Sequence, residues 1–526
     1  MKLSKRLLWV VIMILLFPGL IPSAEAQSSK NIRIILDGVQ LTSDTAPYVI
    51  PKLNITMVPL RVISEGLGAV VTWKQSTKTA IIENTSNFIQ LTNGKTTGLV
   101  NGATVSLDAS VQSRNGRIMV PLRFVGEALG LQVNWNQADQ SITLIRDVVR
   151  PDLGSDGGNG NNGSLRGSWV STVYNLDWPS STSYGDIEKQ KEEYIKLIDN
   201  LQAIGLNSIF VQIRPAGDAL YSSMLVPWSK TLTGTQGMDP GYDPLQFMID
   251  ETHARDMEFH AWFNPFRANT DLNTSTLASN HIAIEHPEWV LNTKSQLIIN
   301  PGIPEARAHV IEVIMEVVNK YNIDGVHLDD YFYPTGGTID DDSTYVTYNS
   351  NHIATKANWR RDNINQFIQQ LNQSIHSVKP QLSFGVSPFG VWRNDATDRT
   401  GSDTKASITS YDNYYADVRT WIQNSWVDYV VPQLYWSLSN ANVRYDTLVN
   451  WWVNEVEGTD VELYIGHAPY KLGTTEIGWQ NAQEIINQLK YNAKQPEVKG
   501  SIFFSARHLL NNPLELLPAL TTYYHQ

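Results

Sequence analysis

The segment at residues 323–334 carries the side chains of this sequence that are best suited to chemistry. It begins as an apolar strand and ends in two adjacent acids, Asp329 and Asp330, which are followed by aromatic residues. An unpaired carboxylate is costly to bury, so such a cluster is typical of a cleft and not of a core strand. Hydrolysis of a glycosidic bond needs two carboxyl groups, one as acid and one as nucleophile or base. The segment therefore predicts a carbohydrate-cleaving site in which Asp329 and Asp330 are the catalytic pair.

Alternation along this strand separates the two acids. Side chains two residues apart share a face, so His327, Asp329 and Tyr331 are expected to face the same way, opposite the apolar residues between them. Asp330 is then expected at the turn that ends the strand, where capping that turn is an equally open role. The other candidates for the second carboxyl are Asp395, Asp218 and Asp177.

Further strand ends in the last two-thirds of the sequence are also polar and aromatic. Aromatic faces stack on the C–H faces of sugars, while Asn, Gln, Arg and His bind hydroxyl or amide groups. A single His or Gln is more often a structural hydrogen bonder, but agreement among so many strand ends favours a sugar site. The residues predicted to bind substrate are Arg214, Asp218, His260, Trp262, Asn264, His327, Tyr331, Trp392, Asp395, Gln433, Tyr435, Trp436 and His467.

Eight alternations of strand and helix must position these side chains. The predicted strands lie at 167–173, 208–214, 258–264, 325–330, 382–388, 427–435, 462–468 and 500–505. The predicted helices lie at 186–203, 244–255, 304–321, 358–378, 411–423, 444–457 and 475–493, with a last one starting near 512. Regular alternation predicts parallel strands with right-handed crossovers, and eight repeats predict an α/β fold of the (β/α)8 TIM barrel type. A doubly wound sheet is disfavoured because no Gly-rich phosphate turn follows the first strand.

The sequence before the barrel divides into three parts. Basic residues at 2–6 precede an apolar run and the small residues at 24–26, which predicts a signal peptide at 1–26, with an uncleaved membrane anchor as the alternative. Residues 30–146 contain a repeat, because Met57-Val-Pro-Leu-Arg61 recurs as Met119-Val-Pro-Leu-Arg123, and they predict a small α+β module. A linker rich in Gly and Asn is expected at 147–165, ahead of the barrel at 166–526.

Composition narrows the possible chemistry and partners. The 526 residues include no cysteine, which excludes disulfides and thiolate chemistry. A net charge of −12 argues against a nucleic-acid partner. A metal-dependent polysaccharide deacetylase stays open, because His260, His327, His467 and Asp329 could converge on a divalent ion. There is no closely spaced His pair, however, so no metal site and no cofactor is predicted.

The barrel motifs resemble the glycosyl-hydrolase-like 10 family over roughly residues 165–510. The most specific are Phe259-His-Ala-Trp-Phe-Asn-Pro-Phe-Arg267, Asp324-Gly-Val-His-Leu-Asp-Asp-Tyr-Phe-Tyr-Pro334 and Val431-Pro-Gln-Leu-Tyr-Trp436. The resemblance implies a TIM-barrel glycosidase whose acidic strand end falls on Asp329 and Asp330. It also implies a substrate class, since some relatives act on peptidoglycan glycan strands after their peptides have been removed.

Two weaker resemblances add to this picture. The fourth strand looks distantly like the acidic strand of chitinase-type enzymes, but His327 replaces its middle acid and Tyr331 its catalytic Glu, so that mechanism does not transfer. The repeat module resembles the copper amine oxidase N-terminal domain, which implies a stalk for spacing or wall attachment. Copper chemistry is not implied, because no His precedes Trp169.

The expected protein is thus a secreted, extracellular or cell-wall-associated glycoside hydrolase. Its expected partner is a polysaccharide, the N-acetylated glycan strand of peptide-free peptidoglycan. No membrane contact is expected after signal cleavage. A wall-glycan-binding protein without catalysis is the alternative of a different class, because the stalk and the linker suit that role as well.

Overall fold

The structure is a computed structural model that describes residues 32–146 and 164–525 with short gaps. The gaps fall at 37–38, 51–52, 54, 67–69, 84–87, 101, 123, 125–127, 129–130, 137–140 and 336–338. The described residues before position 147 form one compact unit, and those after it form a second. The predicted signal peptide and most of the predicted linker lie outside the described residues. None of the described helices is long and apolar enough to cross a membrane.

The N-terminal unit consists mainly of β-strands. The two repeated boxes lie on strands Ile55–Pro59 and Arg117–Pro121, which pair antiparallel with Val58 opposite Val120. A short helix, Leu60–Gly66, begins within the first box. The other described strands are Arg33–Leu36, Val39–Leu41, Tyr48–Ile50, Val70–Lys74, Thr79–Glu83, Phe88–Thr92, Thr97–Val100, Ala103–Ser106, Gln112–Arg114, Leu131–Asn136 and Ser141–Arg146.

The second unit is a closed barrel, formed in its described part by eight parallel strands. Consecutive strands are neighbours, and the last strand pairs with the first to close the ring. The strands are β1 (Leu165–Val170), β2 (Ser208–Arg214), β3 (Glu258–Phe263), β4 (Gly325–Leu328), β5 (Ser383–Val386), β6 (Tyr429–Val430), β7 (Glu462–His467) and β8 (Val498–Phe503).

A helix packs outside the barrel after each strand. In α3, for example, Val310, Val313, Ile314 and Val317 recur at helical spacing and are fully buried against the strands. The outer helices are α1 (Ile187–Ala203), α2 (Pro244–His253), α3 (Pro304–Lys320), α4 (Lys356–Val378), α5 (Val418–Gln423), α6 (Tyr445–Val456), α7 (Gln483–Asn492) and α8 (Leu516–Tyr524). The predicted (β/α)8 barrel is confirmed.

Several elements are shorter than the sequence predicts, and three of them have a clear local reason. β6 is the shortest strand because Pro432, just beyond it, has no N–H to donate to a ladder. β4 ends at Leu328 because the acidic residues that follow turn into the barrel mouth. The helix predicted from 411 is interrupted at Tyr415, whose φ of 55° is left-handed, so Ser410–Asn413 and α5 are separate.

The N-terminal mouth of the barrel repeats one hydrogen bond at three pairs of strands. A side chain just before an even-numbered strand accepts the backbone N–H of the second residue of the preceding odd-numbered strand. The pairs are Asn207 with Arg166 at 2.8 Å, Asp324 with Phe259 at 2.8 Å and Asp428 with Phe384 at 2.7 Å. The two aspartates also accept from histidines of outer helices, His253 of α2 at 2.8 Å and His376 of α4 at 3.1 Å. These bonds tie each helix end to the strand pair beneath it.

Candidate active site

A cavity of about 300 Å³ opens at the C-terminal mouth of the barrel, where active sites of this fold lie. All eight strands or their following loops contribute to its wall. The sequence-predicted residues that line it are Trp262, Asp329, Asp330, Tyr331, Gln433 and Tyr435. The other lining residues are Trp169, Ser171, Val173, Gln212, Arg267, Ser387, Phe389, Tyr414, Tyr470 and Phe504.

Asp329 is a buried acceptor in the cavity wall, 4% exposed. Its Oδ2 accepts hydrogen bonds from Nδ2 of Asn264 at 2.9 Å and from Nε1 of Trp262 at 3.2 Å. Burial raises the pKa of Asp329 to about 6, although the positive charge of Arg267 and these hydrogen bonds oppose the rise. At neutral pH this carboxyl is therefore mostly ionised, and the hydrogen bonds from Asn264 and Trp262 stabilise its negative charge.

Asp330 lies beside it in a different environment and is 5% exposed. Burial and the neighbouring charge of Asp329 together raise the pKa of Asp330 to about 7, against a hydrogen bond from Gln433 that lowers it. Alternation predicts Asp330 at the turn after the strand; it lies there, and its side chain also lines the cavity. This is possible because β4 ends at Leu328, so the strand geometry no longer dictates opposite faces.

The two carboxyls thus differ in proton affinity within one cavity. Around pH 6 to 7 Asp330 retains a proton more readily than Asp329 does. Two carboxyls whose environments separate their pKa values can act as a proton donor and an anion at the same pH. This arrangement can protonate a leaving oxygen while it faces a developing positive charge.

A hydrogen-bonded network fills the barrel lumen behind the cavity. Nε1 of Trp169 donates to Nε2 of His327 at 3.1 Å, and Nδ1 of His327 lies 3.2 Å from the hydroxyl of Tyr429. That hydroxyl lies 3.3 Å from Nδ1 of His260, whose Nε2 lies 3.1 Å from the carboxylate of Glu258. We call these five residues the lumen network. Since an indole N–H can only donate, Nε2 of His327 must be an acceptor; burial, which lowers the pKa of His327 well below 6.5, keeps it neutral.

Several predicted residues support the wall without lining it. Asn264 holds Asp329, and His260 and His327 belong to the lumen network. Arg214 is fully buried and donates to the backbone oxygen of Asn264 at 2.6 Å, which braces the loop after β3. Asp218 is also buried and accepts the backbone N–H of Ala216 at 3.0 Å within the loop after β2.

Other predicted residues lie away from the cavity. Trp392 stacks on Trp451 with ring centroids 5.7 Å apart, and Asp395 is exposed on the loop after β5. Trp436 packs edge-on against Phe389, which itself lines the cavity. His467 points to the helix layer, where its Nδ1 lies 2.9 Å from Oε1 of Gln488 on α7.

Some of the lining residues outside the predicted set carry a signal in the sequence, and others do not. Trp169, Ser171 and Val173 alternate along the first predicted strand, so the parity rule used for the fourth strand could have identified them. Phe504 could have been identified in the same way, because it lies in the predicted eighth strand two residues after Ile502. Tyr414 reaches the cavity from the loop after β5, where no repeating pattern marks it in the sequence.

The ligand set of a metal-dependent deacetylase is not brought together. His467 bonds to Gln488 and to Ser501 between β7 and the helix layer, whereas His327 and His260 lie in the lumen network. Asp329 accepts hydrogen bonds from Asn264 and Trp262. Across the described ranges, no three His, Asp or Glu side chains are grouped so that they could hold a metal ion.

Comparison with known proteins agrees with this fold. The glycosyl hydrolase-like 10 family matches residues 164–485, and the copper amine oxidase N-terminal domain matches residues 35–144. Glycosyl hydrolase YngK of Bacillus subtilis (strain 168) is 48% identical over 365 residues, which cover 68% of this chain and 71% of the relative. Glycosyl hydrolase DigH of Escherichia coli (strain K12) is 40% identical over 372 residues, which cover 66% of this chain and 84% of the relative.

A solved structure of the PgaB (BpsB) glycoside hydrolase domain from Bordetella bronchiseptica matches with a TM-score of 0.47 and 12% identity, over 68% of this chain and 98% of that one. The family match spans β1 to the start of α7 and includes both cavity aspartates. The chain therefore belongs to the glycosyl hydrolase-like 10 family, and it carries a copper amine oxidase N-terminal domain ahead of the barrel.

Proposed function

We propose that this protein is a glycoside hydrolase that cleaves O-glycosidic bonds in N-acetylated, peptide-free cell-wall glycan. The observation that carries the proposal is the pair Asp329 and Asp330, two buried carboxyls that line one cavity, of which Asp329 accepts directed hydrogen bonds from Asn264 and Trp262. A site that only binds sugar has no need for such a pair.

The two carboxyls would take different roles. Asp330 donates its proton to the glycosidic oxygen while the bond from that oxygen to the anomeric carbon breaks. Asp329, held as an anion by Trp262 and Asn264, faces the positive charge that develops on the anomeric carbon. A water molecule then supplies the hydroxyl that the anomeric carbon gains and the proton that restores Asp330.

The choice of substrate rests on the cavity wall and on the family. Aromatic side chains alternate around the wall with polar ones such as Gln433 and Ser387, which suits the C–H faces and the amide groups of an N-acetylated sugar. Arg267, 7% exposed, is a cation that lines the cavity close to Asp329. Peptide-free wall strands are the substrate class implied by the family resemblance.

Purified full-length protein incubated with peptide-free glycan strands tests the activity. We expect short sugars to appear, and Asp329→Asn and Asp330→Asn to reduce their formation by at least about a hundredfold, as expected for loss of acid–base catalysis. Asp395→Asn is the matched control, because it changes an exposed aspartate outside the cavity and should leave the rate unchanged.

Three outcomes would contradict the proposal. If the Asp329→Asn variant releases sugars as fast as the wild type, Asp329 has no catalytic role. If the wild type binds strands tightly but releases no product, the protein is the wall-glycan-binding protein of the alternative. Release of acetate without chain cleavage would indicate the deacetylase instead.

We further propose that the chain is exported and held near the wall by its N-terminal unit. Support comes from the signal-like sequence at 1–26 and from the module at 30–146. Mature protein recovered from cells should begin at Gln27, and deletion of residues 30–146 should move it from the wall fraction to the medium. Retention of the truncated protein in the wall fraction would contradict the attachment role.

A further inference from the structure

The turn after β1 presents an aromatic side chain to solvent at the cavity mouth. Val173 lines the cavity, and the next residue, Tyr174, is 76% exposed. The backbone of Tyr174 has φ 58° and ψ 17°, a left-handed conformation that is rare for a bulky residue. Such strain persists only where the surroundings impose it, and it gathers at functional sites.

Hydrogen bonds on both sides of Tyr174 impose this conformation. On one side the backbone N–H groups of Thr172 and Val173 donate to Oε1 of Gln212 at 3.2 and 3.0 Å. On the other side Nδ2 of Asn175 donates to the backbone oxygens of Pro179 at 2.8 Å and Thr231 at 2.9 Å. The turn is therefore fixed to β2 and to the loop beyond it, while the ring that it carries stays in solvent.

A second partly exposed tyrosine faces the same mouth. Tyr331 lines the cavity and is 43% exposed, and the guanidinium of Arg267 lies 4.5 Å from its ring centroid. Burial raises the pKa of Tyr331, the charges of Asp330 and Asp329 and the phenol of Tyr174 add to the rise, and Arg267 opposes it. Val173, the neighbour of Tyr174 in the chain, lines the same cavity as Tyr331, so both tyrosines lie at one mouth.

We propose that Tyr174 and Tyr331 form a sugar-binding subsite outside the cavity, which stacks on an additional pyranose ring of a polymeric glycan. The inference rests on the proposed function and extends it to the length of the substrate. The cavity, at about 300 Å³, is at the small end of ligand pockets, so a polymer must continue beyond its mouth. An aromatic residue whose backbone is already fixed in place loses less conformational freedom when it binds.

A purely structural role for Tyr174 does not explain why its side chain is exposed at a left-handed position. A residue that stabilises a fold by packing is buried, whereas most of this ring is in water. Glycine at position 174 would adopt the left-handed conformation without strain, and the hydrogen bonds of Asn175 would stay in place. What the tyrosine adds at this position is an exposed aromatic face.

Binding measurements on the inactive Asp329→Asn protein test the subsite without substrate turnover. The two ligands are long peptide-free strands and the disaccharide repeat prepared from them. In this background Tyr174→Asn removes the aromatic ring. Asparagine is chosen because it tolerates the left-handed backbone conformation of this turn. We expect it to weaken strand binding roughly 3- to 10-fold, and disaccharide binding by less. Tyr174→Phe should restore strand binding.

Met224→Ala is the matched control. Met224 is 91% exposed, and its backbone N–H bonds to Glu316 on the outer helix α3, so the change should affect neither ligand. If Tyr174→Asn binds strands as tightly as the parent, or loses both ligands equally, the subsite is overturned while the proposed function stands. If the parent binds no strands and the wild type cleaves none, the proposed function fails and the subsite with it.

Discussion

The indole Nε1 of Trp169 donates a hydrogen bond to Nε2 of His327, 3.1 Å away. An aromatic wall of the cavity is thereby held by a neutral histidine in the lumen behind it. The histidine in turn stacks on Tyr429, with ring planes 9° apart. The shape of the cavity therefore depends on residues that lie behind its wall and do not line it.

Replacement of His327 should separate this positioning role from catalysis. His327→Leu leaves the Trp169 N–H buried without an acceptor, which costs about 1–3 kcal/mol in the free energy of unfolding. We expect a raised KM and an unchanged pH profile, because Asp329 and Asp330 keep their surroundings. His327→Gln retains an acceptor near the same place and should recover most of the lost stability and KM. Equal effects of Leu and Gln would argue against the hydrogen bond.

The pH profile of glycan cleavage should be bell-shaped with a maximum between about 6 and 7. Activity falls on the acid side as Asp329 is protonated, because its pKa is raised to about 6. It falls on the alkaline side as Asp330 loses its proton, because its pKa is raised to about 7. Initial rates from pH 4 to 9 check this. A rate that stays constant up to pH 9 would rule out Asp330 as the acid.

Removal of a donor to Asp329 should move one limb of that profile. Asn264→Ala deletes the hydrogen bond to Oδ2 of Asp329, which opposes the rise in its pKa. The acid limb should therefore shift to higher pH while the alkaline limb stays in place. Trp262→Phe deletes the other donor and should shift the limb in the same direction. Asn424→Ala at the end of α5 should shift neither limb, and an unmoved acid limb in Asn264→Ala would contradict the assignment.

Neutralising Asp330 should stabilise the protein at alkaline pH at the expense of activity. The pKa of Asp330 is raised from 3.8 to about 7 in the folded state, so the stability that its proton brings is complete below pH 3.8 and lost as pH rises through 7. Asp330→Asn does not lose this stability, because an amide does not ionise. Its melting temperature should exceed that of the wild type above pH 7, and the difference should shrink towards pH 4. A variant less stable than the wild type at pH 8 would contradict this sign.

The two histidines at the opposite mouth should give a second pH dependence. Hydrogen bonds from Asp324 and Asp428 raise the pKa values of His253 and His376 above 6.5. Their stabilisation is complete below pH 6.5 and is lost as pH rises through the raised values. His253→Gln with His376→Gln should flatten the fall in melting temperature over this window. The control His352→Gln alters an exposed histidine and should keep the wild-type slope.

The periodicity of the sequence predicts the barrel because strands and helices obey local rules. The position of a residue at a strand end does not by itself determine whether its side chain lines the cavity. Asp329 and Trp262 were placed correctly by strand position and both line the wall. His467 shows the limit: it shares the parity of the buried, outward-facing Leu463 and Ile465, so its strand directs it to the helices. Tyr414 reaches the cavity from a long loop, whose path depends on tertiary packing and not on any repeat.

The side chains Asn207, Asp324 and Asp428 recur at every second strand around the N-terminal mouth. In a ring of eight strands this spacing corresponds to a rotation of about 90° about the barrel axis. Three of the four strand pairs of this ring thus share one arrangement, in which a pair of strands is the repeating unit. The end that carries the cavity shows no such repeat among its described residues, since each strand there ends in different side chains. Equivalent substitutions can therefore be made at each of these three positions of the N-terminal mouth without changing the cavity at the opposite end.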